Sequence, residues 1–294
     1  MDFSDAVKQF EWGKINLSEK QFKELLAEQK DNPEIHFYLS KIFLQKDQYD
    51  QALEHIENAI KLDAQKAEYH EMLGEILGMK AQQAGMIKGA MLLRKVKSAF
   101  EQAINLNENS LMAKEGLFMI YLFSPPVAGG DEKKAMELLE QIKNHNKSHG
   151  HLAQAMVYLK QNKLSDAERE FEEAIKENGG DREVLKRTFR FYLQRKNYDK
   201  CDEIADLYIN HFPQDPRGYQ FKGEAYLEAG QPDEALSLFN LAIEKDELFF
   251  NGYFHRAKVF LAKNQKEMAA NDIKFILDHQ EAPQELKKQA KKLM

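Results

Sequence analysis

Apolar and polar positions alternate along this chain with a helical period, and the helical runs come in pairs. The stretch PEIHFYLSKIFLQKDQYDQALEHIENAIKLDAQK (33–66) aligns with PRGYQFKGEAYLEAGQPDEALSLFNLAIEKDELF (216–249), and both halves of each read as amphipathic helix. An aromatic residue or leucine recurs at Phe43, Leu77, Tyr121, Tyr158, Tyr192, Tyr226 and Phe260, with a spacing of 34 dominating. Nine positions on, a small residue recurs at Ala52, Ala167, Cys201, Ala235 and Ala269. Small residues let two helix axes approach while bulky ones fill the groove, so each unit predicts an antiparallel helix pair. One pair cannot bury its own apolar face and must stack on its neighbours, which predicts an all-α solenoid.

In the unit 216–249 the recurring phases hold Tyr219, Gly223, Tyr226, Gly230, Ala235, Phe239 and Ala242. This set resembles the signature of the tetratricopeptide repeat family. The resemblance covers nearly the whole chain and implies a right-handed superhelix of helix pairs. Units are expected at 33–66, 67–110, 111–147, 148–181, 182–215, 216–249 and 250–281, after a degenerate pair at 1–32 and before a capping helix at 282–294. The unit 182–215 departs from the pattern, with Phe189 at a small phase, Ala205 at a bulky one and Tyr208 where alanine is usual. Swaps that conserve volume are expected to compensate there.

Two consecutive units are outsized. The first gains ten residues in or near AQQAGMIKGAMLLRKV; the second gains five at FSPPVAGGDEKKA (123–135). Pro125 and Pro126 are expected to stop a helix, Gly129 and Gly130 to reverse the chain, and Asp131 to cap the next helix. Both insertions fall at the turn inside a unit. There Pro125, Pro126 and Val127 are expected to cover the ends of two lengthened helices. The competing reading makes Met86, Ile87, Met91 and Leu92, with the two prolines, an adaptable docking edge. The PP…GG turn after an AQQAG-like extension is also similar to that of some bacterial repeat proteins, a few of them exported.

The resemblance implies a concave surface lined by the first helix of each unit. Carried over by phase, it begins acidic with Glu68, Glu71 and Glu75, and turns apolar with Met112, Met119, Leu152 and Met156. It ends basic with Lys186, Arg190, Arg217 and Lys258, beside Gln220. Such a progression would orient a peptide by charge at its ends and burial in its middle. Some family members clamp a terminal carboxylate with lysines, asparagines and an arginine. Here Arg190 stands where asparagine is wanted, so that clamp is incomplete.

Composition narrows the function further. A net charge of −6, with basic and acidic residues mixed, disfavours a nucleic-acid partner. The lone Cys201 cannot form an intrachain disulfide and is read as a buried structural thiol. His145, His149 and His151 cluster in NHNKSHGH, yet their spacing across a turn does not define a metal site, and an exposed turn is expected. HEMLGE (70–75) lacks the second histidine of a zinc-protease helix, since position 74 is Gly74. No phosphate loop or nucleophile elbow occurs, and no enzymatic activity, cofactor or metal is expected. No transmembrane run is seen; the chain reads as cytoplasmic as given, and as periplasmic or secreted if a leader was trimmed. The tail lysines 287, 288, 291 and 292 surround Leu286 and Ala290 on a helix expected to cap the last unit. The function expected is a non-enzymatic scaffold binding a peptide or protein segment in the concave groove. The alternative is a self-associating subunit, a homo-oligomer that uses the inserted edge around 86–93 and 125–130.

Overall fold

The computed structural model describes residues 2–294, apart from the side chain of Met86. All regular structure among these residues is helical. The helices are α1 (Phe3–Glu11), α2 (Ile15–Glu28), α3 (Pro33–Gln45), α4 (Tyr49–Leu62), α5 (Ala67–Gln83) and α6 (Met86–Leu106). There follow α7 (Leu111–Phe123), α8 (Glu132–His145), α9 (Lys147–Lys160), α10 (Leu164–Asn178), α11 (Arg182–Gln194) and α12 (Tyr198–His211). The chain ends with α13 (Pro216–Glu228), α14 (Pro232–Lys245), α15 (Phe250–Ala262), α16 (Lys266–Asp278) and α17 (Gln284–Lys291). The fold class is all-α, built from helix pairs stacked in the manner of a helical solenoid.

Short polar turns make the pairs. Asp47, Asn162, Lys196, Gly230 and Asn264 all adopt positive φ between the two helices of a pair, and the last four lie 34 residues apart. Glycine and asparagine suit this left-handed geometry; Lys196 tolerates it at a cost. Between several of the pairs the next helix begins on a side-chain cap. Ser110, Asn146, Asp181 and Asp215 each accept a hydrogen bond from a first-turn amide of α7, α9, α11 and α13.

Two compact units result. One comprises Lys23–Gln45 and Tyr49–Gly179. Its core runs through Leu77, Phe100, Leu117, Phe118, Leu139 and Ile142. Phe100 occupies space that only glycine leaves open, because a β-carbon at Gly74 or Gly116 would lie 2.4 or 2.3 Å from its ring. The lengthened helices are here: α5 has 17 residues and α6 has 21. The 123–135 segment reverses as its composition dictates. A 3₁₀ turn spans Pro126–Ala128, Gly129 takes φ 93°, and Asp131 caps α8 through the Lys134 amide at 3.2 Å. A β-carbon on Gly130 would sit 1.8 Å from the Ser124 carbonyl oxygen, so this position admits no side chain.

The expected cover at this turn is not made. Pro125 and Pro126 are exposed and Val127 is 98% exposed, because the 3₁₀ turn directs these side chains outward. Lys97 instead closes the corner, with its ammonium over the Tyr121 ring at 4.6 Å. Leu92 is half-buried and packs on the core, whereas Ile87 and Met91 are exposed. Met86 lies outside the residues whose side chains are described.

The other unit comprises the segment ending at Phe22, Lys46–Gln48, and Gly180–Met294. Residues near the beginning of the chain therefore pack on the segment 180–294. The Arg182 guanidinium donates to the Glu11 carbonyl at 2.6 Å and lies 4.1 Å over the Phe212 ring. Asn16 Nδ2 donates to the Leu248 carbonyl at 3.2 Å. Lys46 and Glu19 form a buried ion pair, with Glu281 3.7 Å from the same ammonium. In the atypical unit, Phe189, Ala205 and Tyr208 are all buried, and Phe189 and Tyr208 both pack on Phe221 with centroids 4.8 and 5.3 Å away. Ala205 offsets one of the two added aromatics, and the other is accommodated in the stack that Phe189 and Tyr208 make with Phe221. The tail helix α17 buries Leu286 and Ala290 against α15 and α16.

Candidate functional site

The basic residues expected on the first helices of the last units lie on α11, α13 and α15, and one of them, Arg190, contacts the buried Glu224. This buried carboxylate accepts from Gln220 Nε2 at 2.5 Å and Arg190 Nη1 at 3.3 Å. His255 Nε2 approaches it at 3.2 Å. Burial lowers the His255 pKa to about 4 against the opposing pull of Glu224, so the ring is neutral near pH 7. Its flat face stacks on Phe239, with centroids 5.4 Å apart. A neutral imidazole bonded to a carboxylate presents its Nε2 proton to it.

Around this centre the cations differ in their commitments. The Arg190 guanidinium is half exposed and can turn a second N–H edge outward. Lys258 is partly exposed, has no ion-pair partner among the described residues, and acts on His255 as a nearby positive charge. Lys186 pairs with Glu183 at 2.9 Å. Burial would raise the Glu183 pKa, but Arg187 at 2.7 Å and Lys186 outweigh it and hold the carboxyl below the usual range.

Arg217 does not join the group. Its guanidinium grips Asp215 with contacts of 2.8 and 2.6 Å, and the Tyr208 hydroxyl donates to the same carboxylate at 2.9 Å. Burial works against the Arg217 charge, yet Asp215 more than restores it and raises its pKa. Arg217 is thus a staple of the turn before α13, and its place on the helix did not reveal this. Gln220 is buried and holds Glu224 in position; it is not a free groove contact.

In the first-described unit, Glu68 and Glu75 are exposed, while Glu71 accepts from Ser110 Oγ at 2.5 Å. Burial raises the Glu71 pKa, against the Ser110 hydrogen bond and with the help of Glu68. Met112 is exposed, and Met119 and Met156 are half-buried on the core. Leu152 is 0% exposed, so it is a core residue and cannot touch a ligand. The histidine cluster is split by pairing: His149 is buried on α9 against Glu115 at 2.8 Å, and His151 meets Glu170 at 2.7 Å. The exposed turn expected there is therefore a buried helix start at His149. Among the described residues, no group of three or more histidine, cysteine or acidic side chains is placed to hold a metal ion. No described helix is long and apolar enough to cross a membrane. Cys201 is buried, and burial, then Glu224, pushes its thiol up to about 12.

The groove phase of α13 includes Glu224, but sequence reasoning did not single out its contact with His255. Their phases were visible, but nothing in the sequence links α13 to α15 through that pair.

Two family models, both described as tetratricopeptide repeat, match residues 13–76 and 158–225, and residues 216–247; together they span just over half of the chain. The chain belongs to the tetratricopeptide repeat family. No curated protein matches it in sequence. Among solved structures, the crystal structure of yeast Tom70 aligns with a TM-score of 0.60 at 15% identity, over 95% of this chain and 58% of that one. A human IFIT1 dimer with PPP-AAAA aligns with a TM-score of 0.50 at 19% identity, over 81% of this chain and 53% of that one. A tetratricopeptide repeat protein from Parabacteroides merdae gives 0.47 at 19% identity, over 93% of this chain and 98% of that one. This chain spans little more than half the length of the Tom70 and IFIT1 chains, and the likeness to them is one of fold.

Proposed function

We propose that the protein is a non-enzymatic protein–protein interaction scaffold, and that the first helices α11 and α15 hold an acidic peptide segment of its partner. The observation that supports this most is the pairing of two differently committed cations beside a fixed centre. Arg190 is oriented by Glu224 but half exposed, and Lys258 has no ion-pair partner among the described residues. An oriented guanidinium beside an ammonium fits a carboxylate-bearing segment, with the guanidinium supplying direction and the lysine charge.

The test is fluorescence anisotropy against an array of acidic peptides, with the wild type and a Lys258→Glu, Arg190→Gln double variant. A peptide bound by the wild type should lose about tenfold or more in affinity in the variant, equivalent to about 1.4 kcal/mol, at unchanged helical content. Equal affinity for both proteins would refute the groove reading. A second reading is favoured by the exposure of Ile87 (82%) and Met91 (63%): a second copy of the chain covers that edge. A concentration-dependent mass in solution, lost in Met91→Glu, would support it, and a strict monomer would end it.

A further inference from the structure

Away from the helices of the proposed groove, a cleft of about 600 Å³ opens between two turns of the unit that contains α3 to α5. Its walls are preformed. Asn32 locks the turn before α3 by donating to Gln29 Oε1 at 2.9 Å and accepting from the Glu34 amide at 3.0 Å. The Lys30 carbonyl is held by His36 Nε2 at 3.3 Å. Asp63 fixes the facing turn by accepting from the Gln65 amide at 3.0 Å.

Four carboxylates, from Glu28, Asp31, Glu34 and Asp63, line this cleft, and none forms an ion pair among the described residues. Lys30 and Lys66 also line it and pair with no carboxylate among those residues, so the lining carries two more negative charges than positive. Tyr69 also lines the cleft. It is only 3% exposed, its ring is set against Phe37 with centroids 5.1 Å apart, and its hydroxyl has no hydrogen-bond partner among the described residues. Burial, with Glu34 and Asp63 nearby, pushes its pKa up to about 12, so the hydroxyl keeps its proton even well above neutral pH. The hydroxyl thus opens onto the cleft with no partner among the described residues, where a bound group can reach it, and an oxygen beside several carboxylates is best met by a cationic donor.

We propose that this cleft binds one organic cation, a guanidinium or alkylammonium head, which donates to the Tyr69 oxygen and to the Glu34 and Asp63 carboxylates. A bare metal ion fits less well, because no three acidic or histidine side chains among the described residues converge at metal-ligand spacing. The cation can come from an arginine or lysine side chain of a partner or from a free polyamine. Both carry the same donors and charge.

The test is an amide NMR titration of the full chain with Nα-acetyl-arginine amide, Nα-acetyl-lysine amide, spermidine and Nα-acetyl-leucine amide. Saturable shifts confined to residues 29–36 and 63–69 are expected with one or more of the cations and none with the leucine control. Stronger binding of the arginine or lysine probe would assign a partner's side chain, and stronger binding of spermidine a free polyamine. A Glu34→Gln, Asp63→Asn double variant should weaken binding about tenfold, while the side-chain amide oxygen that replaces the Asp63 carboxylate can still accept from the Gln65 amide. Tyr69→Phe keeps the ring and removes only the hydroxyl, and it too should weaken binding. Shifts that do not saturate, or equal affinity in the double variant, would overturn the proposal. Arg190 and Lys258 are untouched in these variants, so this result stands apart from the fate of the groove.

Discussion

His255 is buried where a positive ring is poorly solvated, with Glu224 in its favour and Lys258 and Arg190 against it. Its folded pKa of about 4 lies below the unfolded value of 6.5. The unfolded chain therefore binds the proton first as pH falls. The stability that a neutral His255 contributes is complete above pH 6.5 and is lost progressively toward pH 4. The loss over that window is roughly 2–3 kcal/mol. Urea denaturation at stepped pH should show it, and His255→Phe, which keeps the stacking on Phe239, should flatten the profile. Cys201, with its thiol pushed up to about 12, should react with iodoacetamide in the native protein far more slowly than after denaturation. At this scale helix phase placed Arg190 and Lys258 on first helices, where both keep exposed surface. It did not reveal the pairing of Arg217 or the burial of Leu152, because a phase names a face of a helix but not the local partner, here Asp215, or the depth of burial.

The elements were the most legible part of the sequence, since each helix pair carries its own apolar periodicity and its own breaker. The left-handed turn residue was only partly visible. Gly230 stands out, but Asn162, Lys196 and Asn264 reach the same geometry with side chains common on any surface. Lys196 at φ 57° carries a backbone cost that glycine would not. Lys196→Gly should therefore stabilise the protein by up to about 1 kcal/mol, after the added freedom of the unfolded chain is set against the relief. Thermal denaturation will read the sign. Packing gives the opposite case at Gly116, where a methyl group would press on the Phe100 ring. Gly116→Ala should cost about 1–3 kcal/mol, and Phe100→Leu in the same chain should recover part of it. The covering role expected of the 125–127 turn failed for a local reason: a 3₁₀ turn with two prolines sends its side chains outward, and periodicity does not describe it.

In the whole molecule, the packing of the first residues on the segment 180–294 was illegible in the sequence. A repeat pattern encodes neighbours one unit apart, whereas Arg182 with Glu11 and Asn16 with Leu248 join residues 171 and 232 positions apart. The buried Lys46–Glu19 pair belongs to the same unit. Lys46→Ala would strand Glu19 without its cation and should cost about 3–5 kcal/mol, whereas Lys46→Met with Glu19→Leu should recover most of that stability. Equal losses in the single and double variants would show that packing, not the charge pair, governs this contact. The measurement that bears most directly on the scaffold account is hydrogen–deuterium exchange of the chain alone and with its bound acidic peptide. The account predicts new protection on α11, α13 and α15 around Arg190, Glu224 and Lys258. Protection confined to the start of α6 and the 125–130 turn would contradict it.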